Sequence, residues 1–290
     1  MVSKQLQKKI DQAIRLLQSV HPEEGEVIEL AYSGGKDSDV ILQLAKESGI
    51  EFVARYKNTT IDPPGTIAHA RENGVKITPP PNGITFFGLV RKAGTPNRYV
   101  RFCCKALKEY YTARYQIIGV RRSESVARMK RYHEPIECRV YNKRQKSQSI
   151  MPILEWSKDD ILEFIQDRGI KLHPLYYRED GSIDVDRRLG CMCCPLASLK
   201  KRREQFKKYP KMLRQYIRNA DIFFKTHPNA KIVIRHGNAY VKLFREIFFD
   251  REQSFEDFRN GLFEIPEDYY KKKLEEYFNV NLDFDETKTE

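Results

Sequence analysis

The sequence predicts an α/β fold, a mostly parallel sheet with helices on both faces, and three observations predict it. Between residues 26 and 195, short apolar runs of strand length alternate with stretches of helical periodicity, as in βα units. A Ser-Gly-Gly turn at 33–35 joins the first such run directly to a helical stretch. After Pro195 the strand-like runs cease and long, charged, aromatic-rich helical segments take over. The predicted organisation is an N-terminal helix (1–25), a sheet domain (26–195) and a C-terminal helical region (196–290). With 290 residues, 40% of them hydrophobic, and 16 Tyr and 16 Phe, the chain can bury a core and is not a disordered sequence. No apolar run approaches the ~18–20 residues of a membrane span, so no membrane partner is expected. The first ten residues lack the apolar stretch of a signal peptide, and a cytoplasmic chain is expected.

The elements follow in order. Residues 3–20 place apolar side chains at 6, 10, 13–14, 16–17 and 20, a helical repeat ended by His21-Pro22. Val27–Tyr32 reads as a buried strand, and about Asp37–Ser48 as the helix after the glycine turn. Phe52–Tyr56 is a second strand, with a helix near Gly65–Asn73. Tyr115–Gly119 is another strand. Trp156–Asp167 is an amphipathic helix with Ser157 as N-cap and acids in its first turn.

Charge is unevenly placed. Arg91–Lys146 holds 16 Lys or Arg against 4 Glu, and Leu199–Arg218 holds 9 against Glu204 alone. Glu246–Glu290 reverses the sign, with 14 acids against 6 bases. A basic middle suits an anionic ligand or nucleic acid. In 199–218 the cations interleave with Phe206, Tyr209 and Tyr216, a mixture that fits DNA or RNA. Helical spacing offers a competing account, with Leu199, Phe206, Tyr209, Leu213, Tyr216 and Ile217 as a buried stripe.

The first chemistry lies in Ser33-Gly34-Gly35-Lys36-Asp37-Ser38. Two glycines allow a tight turn that brings N–H groups to an anion, and the following helix points its positive end at the same place. Ser33 and Ser38 add hydroxyl donors and Lys36 a full charge; Asp37 orients the loop or holds a magnesium ion. The glycine spacing is not that of a Walker loop. Arg121, Arg122 and Arg128 follow the strand that ends at Gly119. Arginine forks bind phosphate or sulfate, and Gly119 admits a close backbone approach to a ligand.

Five of the six cysteines fall in Cys103-Cys104 and Cys191-Met192-Cys193-Cys194. Cys103, Cys104, Cys191 and Cys194 together offer four thiolates, which by count suit zinc or an iron–sulfur cluster equally. Cys193 is extra to the pattern and Cys138 stands alone, read as structural.

Ala31-Tyr32-Ser33-Gly34-Gly35-Lys36-Asp37-Ser38 resembles the PP-loop of the adenine nucleotide alpha-hydrolase-like enzymes. Asn58-Thr59-Thr60-Ile61-Asp62, Gly119-Val120-Arg121-Arg122-Ser123-Glu124-Ser125 with Arg128, and Pro152-Ile153-Leu154-Glu155-Trp156 follow in the order seen in the phosphoadenylylsulfate reductase branch. The resemblance runs from about Glu26 to Pro195. It implies a Rossmann-like sheet and a bound adenine nucleotide, either ATP or a sulfated adenylyl nucleotide, with Mg2+. The implied nucleotide residues are Ser33, Gly34, Gly35, Lys36, Asp37, Ser38, Asn58, Gly119, Arg121 and Arg128. Catalytic roles fall to Lys36, Asp37 and Arg121. Cys-Cys followed far downstream by Cys-x-x-Cys is similar to the motif that holds [4Fe–4S] in adenylylsulfate reductases, and zinc is the fallback metal.

The family's reductases act through a cysteine in a C-terminal Glu-Cys-Gly-Leu-His motif, and no cysteine follows Cys194 in this sequence. That departure favours relatives that act as sulfur-transfer ATP pyrophosphatases, with a sulfur donor or reductant protein as partner. Two alternatives stay open. One is a sulfonucleotide reductase using Cys193 or a partner thiol, and the other a non-catalytic nucleotide- or nucleic-acid-binding subunit.

Overall fold

Ser3 opens the first helix, its hydroxyl accepting the Leu6 N–H at 3.2 Å. This helix, α1 (Lys4–Gln18), turns Leu6, Ile10, Ala13 and Leu17 inward, the spacing expected of one buried stripe. The computed structural model describes residues 2–141, 145–260, 265–266 and 268–284. Lys143 and Arg144 of the basic stretch, and the last six residues of the acidic end, lie outside the described residues.

The sheet strands are β1 (Ile28–Tyr32), β2 (Val53–Lys57), β3 (Lys76–Thr78), β4 (Tyr115–Ile117), β5 (Ile136–Tyr141) and β6 (Gln145–Ile150). Their spatial order is β3-β2-β1-β4-β6-β5, and every neighbouring pair is parallel except β5 with β6. The predicted mostly parallel α/β sheet is therefore present. The antiparallel edge was not foreseen, because Gln145–Ser149 is polar throughout and β5 carries Glu137 and Arg139. Cys138 is exposed on that edge.

The remaining helices are α2 (Lys36–Ser48), α3 (Thr66–Glu72), α4 (Phe86–Ala93), α5 (Phe102–Leu107), α6 (Val126–Arg131), α7 (Lys158–Asp167), α8 (Leu199–Lys208), α9 (Pro210–Thr226), α10 (Lys231–His236), α11 (Ala239–Phe248), α12 (Glu252–Asn260) and α13 (Tyr269–Phe278). Helix α7 starts on the predicted Ser157, in a full capping box with Asp160, a device worth about 1 kcal/mol. Ile28, Leu30 and Tyr32 of β1 join the buried residues of α1, α2 and α7, with Trp156 edge-on to Phe164, in one core. Among the described residues no helix is long and apolar enough to cross a membrane.

The chain divides into two compact units, one of residues 1–81 and 107–190 and the other of 82–106 and 191–290. Sequence reading kept 82–106 with the sheet domain; in the structure this segment packs with the C-terminal helices, α4 lying on α9. In that second unit the basic stretch 199–218 is two helices, split at Tyr209 by Pro210, which starts α9. Phe206, Leu213, Tyr216 and Ile217 are buried, and Leu199 and Tyr209 half-buried. The aromatic residues Phe206 and Tyr216 are thus core, packed against each other at 5.7 Å between rings, and not available to stack on bases. Arg202 is buried too, its guanidinium donating to the Glu246 carbonyl at 2.8 Å.

Candidate nucleotide site and cysteine group

Strand β1 lies at the point where the order of the strands along the sheet reverses, flanked by β2 on one side and β4 on the other. Open parallel sheets bind ligands at the carboxyl end of such a strand. Ser33-Gly34-Gly35 occupies that end and leads directly into α2, with Gly35 as N-cap. Gly34 is required there twice over. Its φ is +74°, and a Cβ would stand 2.9 Å from Thr66 Cγ2. Ser38 Oγ donates back to the Gly35 carbonyl at 2.7 Å and lies 3.3 Å from Ser33 Oγ, closing the turn on itself.

Around this turn is a cavity of about 240 Å³, lined by Ser33, Gly35, Lys36, Asp37 and Ser38 together with Gly119, Glu124, Arg128, Tyr176 and Arg188. Lys36 is buried beneath it. Burial lowers its ammonium below the ordinary value, while Asp37 pulls the other way. Its Nζ sits 3.1 Å from Asp37 Oδ2 and 5.6 Å from the centre of the Tyr176 ring. Burial pushes the Tyr176 hydroxyl up to about 12, so it stays protonated.

Sequence reading placed ten residues at the nucleotide, and the structure brings eight of them to this cavity or its closing turn: Ser33, Gly34, Gly35, Lys36, Asp37, Ser38, Gly119 and Arg128. Arg121 takes a different place. It is buried, donating from Nε to Asp37 Oδ1 at 2.6 Å and from Nη1 to Ser123 Oγ at 3.2 Å, and so it acts on the loop through Asp37. Both oxygens of Asp37 are thereby engaged, which favours an orienting role over holding a magnesium ion. Gly119 admits a close approach, but of Asp37 itself, whose carbonyl oxygen would be 3.1 Å from a Cβ. Asn58 lines neither this cavity nor its neighbour. Its side-chain oxygen accepts the Thr60 N–H at 2.8 Å, holding the turn after β2.

Arg188 was missed. It is half exposed on the cavity rim, and its guanidinium donates to the Glu124 carbonyl at 3.0 Å. Glu124 also pairs with Arg128, so one carboxylate positions both arginines. The signal was the Arg187-Arg188-Leu189-Gly190 run. Deeper support comes from a buried network beneath α2: His69 Nε2 is 3.1 Å from Asp39, and the Tyr32 hydroxyl donates to the same carboxylate. Burial raises the Asp39 carboxyl above its ordinary value, against the opposing pull of His69.

A second cavity, of about 520 Å³, shares Ala31, Ser33 and Leu189 with the first and runs along the sheet past Glu29, Arg55, Lys57 and Gln116. The two thus adjoin at Ser33, and the loop cavity is the one lined by Lys36, Arg128 and Arg188.

The second unit holds Cys103, Cys104, Cys191, Cys193 and Cys194. None of the six cysteines is in a disulfide. The Cys103 thiol is hydrogen-bonded with Cys104, and that hydrogen bond, burial and the nearby Cys191 all raise it above its ordinary value. Among the described residues no three His, Cys, Asp or Glu side chains already stand as a metal site. By their chemistry alone, thiols are donors that suit zinc or iron. Cys103, Cys104, Cys191 and Cys194 are half-buried thiols of one unit. Cys193 differs from the rest. It is 1% exposed, has φ +57°, and burial pushes its thiol up to about 12.

A family model for the phosphoadenosine phosphosulfate reductase domain matches residues 28–197. The chain belongs to this family. Within the reductase family its match spans both the loop at 33–38 and the cysteines at 191–194. No curated protein sequence matches the chain. Among solved structures, the phosphoadenylyl-sulfate reductase of Candida auris in its phosphate complex is 14% identical at a TM-score of 0.44, over 66% of this chain and 98% of that one. The U34-tRNA thiolase NcsA of Methanococcus maripaludis with its [4Fe-4S] cluster is 14% identical at 0.40, over 78% and 82%. The FMN adenylyltransferase of Candida glabrata is 17% identical at 0.42, and this family member spans 61% of its length while 62% of this chain is covered.

Proposed function

We propose that this reductase-family chain is a PP-loop ATP pyrophosphatase acting in sulfur transfer. One observation supports it above the others: a phosphate-sized cavity at the sheet's switch point, ringed by the start of α2, Lys36, Arg128 and Arg188, adjoins a nucleoside-sized one that shares Ala31, Ser33 and Leu189 with it. The loop amides and the helix N-terminus would hold the triphosphate, with Lys36 neutralising charge as it builds on the departing phosphates. Asp37, clamped by Arg121 and Lys36, fixes the turn. An oxygen of the acceptor attacks the α-phosphorus, the α–β anhydride bond breaks, and pyrophosphate leaves with its electron pair. A sulfur nucleophile then attacks the adenylylated centre and AMP leaves. Magnesium would ride on the nucleotide's own phosphate oxygens, since Asp37 is already committed.

In the second unit Cys103, Cys104, Cys191 and Cys194 would hold a [4Fe–4S] cluster, or zinc in its place. When bound, a cluster supplies a site for sulfide or electrons. The reductase alternative through Cys193 loses ground, because a buried thiol raised to about 12 is a poor nucleophile. The exposed Lys200, Lys207, Lys208 and Lys211 suit an anionic acceptor such as DNA or RNA, bound by charge and not by stacking.

The deciding assay follows products. With ATP, acceptor and a sulfide source, the protein should release pyrophosphate and AMP. Thiol-dependent sulfite release from a sulfated adenylyl nucleotide, without pyrophosphate from ATP, would replace this reading with the reductase.

A further inference from the structure

Sheets of parallel strands are expected to be apolar on both faces, since helices cover them. One face of this sheet is not. Side chains alternate along a strand, so Glu29 and Ala31 point away from the core that Ile28, Leu30 and Tyr32 enter. Register carries that face across the sheet: Glu29 lies beside Gln116, Gln116 beside Ser149, and Ala31 beside Arg55. Glu29 is 4% exposed, and it lines the 520 Å³ cavity.

Its carboxylate is half satisfied. Oε2 accepts from Arg55 Nε at 2.7 Å, whereas Oε1 is buried with no hydrogen-bond partner. The cations nearby are engaged elsewhere. Arg55 Nη1 donates to Thr78 Oγ1 at 3.2 Å, and Lys57 Nζ donates to the carbonyls of Lys108 and Tyr111. A bare, buried carboxylate oxygen is costly unless a donor meets it.

The cavity it lines shares Ala31, Ser33 and Leu189 with the loop cavity, so a group that extends from the phosphates past Ser33 would bring the donor. Ser33 lies four positions beyond Glu29, about 13 Å along the strand. A ribose hydroxyl stands closer than that to the phosphates of its own nucleotide, whereas the far edge of an extended base reaches that distance from the β- and γ-phosphates. Guanine would present two adjacent donors and ask for both carboxylate oxygens, one of which Arg55 holds. We propose that Glu29 is a base-specificity residue, its Oε1 accepting from the exocyclic amino group of an adenine nucleotide and rejecting a 6-oxo purine, whose carbonyl would face the carboxylate. The inference rests on the nucleotide reading above.

The test is calorimetric binding of ATP, inosine triphosphate, 2′-deoxy-ATP and 3′-deoxy-ATP to the full chain and to Glu29→Gln. The wild type should prefer ATP over inosine triphosphate by about tenfold or more, the worth of one charge-assisted hydrogen bond. Glu29→Gln can turn its amide N–H to a carbonyl, so the preference should vanish or reverse. Inorganic pyrophosphate should bind both proteins alike, which shows that the variant is folded. Where it does not, Glu29→Asp takes over: the shortened carboxylate should weaken ATP and leave inosine triphosphate unimproved. An ATP preference untouched by either substitution overturns the proposal, as does a change confined to the deoxyribose analogues. If the wild type binds no ATP at all, the nucleotide reading fails first and this one with it.

Discussion

Arg121→Ala should destabilise the protein by about 3 kcal/mol, the low end for removing one partner of a buried ion pair. Arg121 is 2% exposed, and without it Asp37 keeps only the Lys36 ammonium at 3.1 Å. Because Asp37 opens α2, the turn that shapes the phosphate cavity should shift, and nucleotide affinity should fall as a consequence. Arg128→Ala should behave in the opposite way. Its pairing with Glu124 is partly exposed and worth under about 1 kcal/mol, so urea unfolding should hardly change. Arg128 nevertheless lines the cavity, and its loss should weaken nucleotide binding about tenfold. Urea melts paired with calorimetry separate the two. If Arg121→Ala were as stable as wild type yet weaker in binding, Arg121 would be a direct ligand, as the family resemblance implies.

The second large effect concerns metal. Anaerobically prepared, iron-replete protein should be brown and carry about four irons per chain, as four thiolates imply. Cys103→Ala or Cys194→Ala should bring the iron close to zero and remove the visible absorption. Cys138→Ala should leave both intact, since that residue is exposed on β5. Cys193→Ala should also retain iron, because its thiol is buried while the other four are half-buried. Stoichiometric zinc with no iron under the same conditions would leave a structural zinc site instead.

Much of the first unit was legible because its signals are local. Alternation of strand and helix periods gave the order of elements, Ser157 gave the start of α7, and the glycines at 34 and 35 gave the turn. What escaped depends on contacts distant in sequence. Nothing local says that Arg121 will be claimed by Asp37, 84 residues earlier, or that Arg188 will reach the loop cavity. Composition likewise could not show that 82–106 packs with the C-terminal helices, since α4 is an ordinary amphipathic helix whose partner α9 lies far along the chain. The basic stretch at 199–218 was open to two accounts. Burial of Phe206 and Tyr216 decides for the core stripe and leaves only the exposed lysines for an anionic partner. The polar sheet face was visible in the letters, as Glu29 inside an apolar run, but its meaning needed the register.

The claim on which the account turns is that the loop at 33–38 holds the phosphates of a nucleotide. Titration of ATP into wild type and Lys36→Ala, with pyrophosphate as competitor, tests it most directly. The wild type should bind ATP saturably and release it to pyrophosphate, and the variant, whose buried charge beneath the cavity is gone, should lose about tenfold or more in affinity. Equal affinity in both proteins, or ATP binding that pyrophosphate leaves untouched, would contradict it.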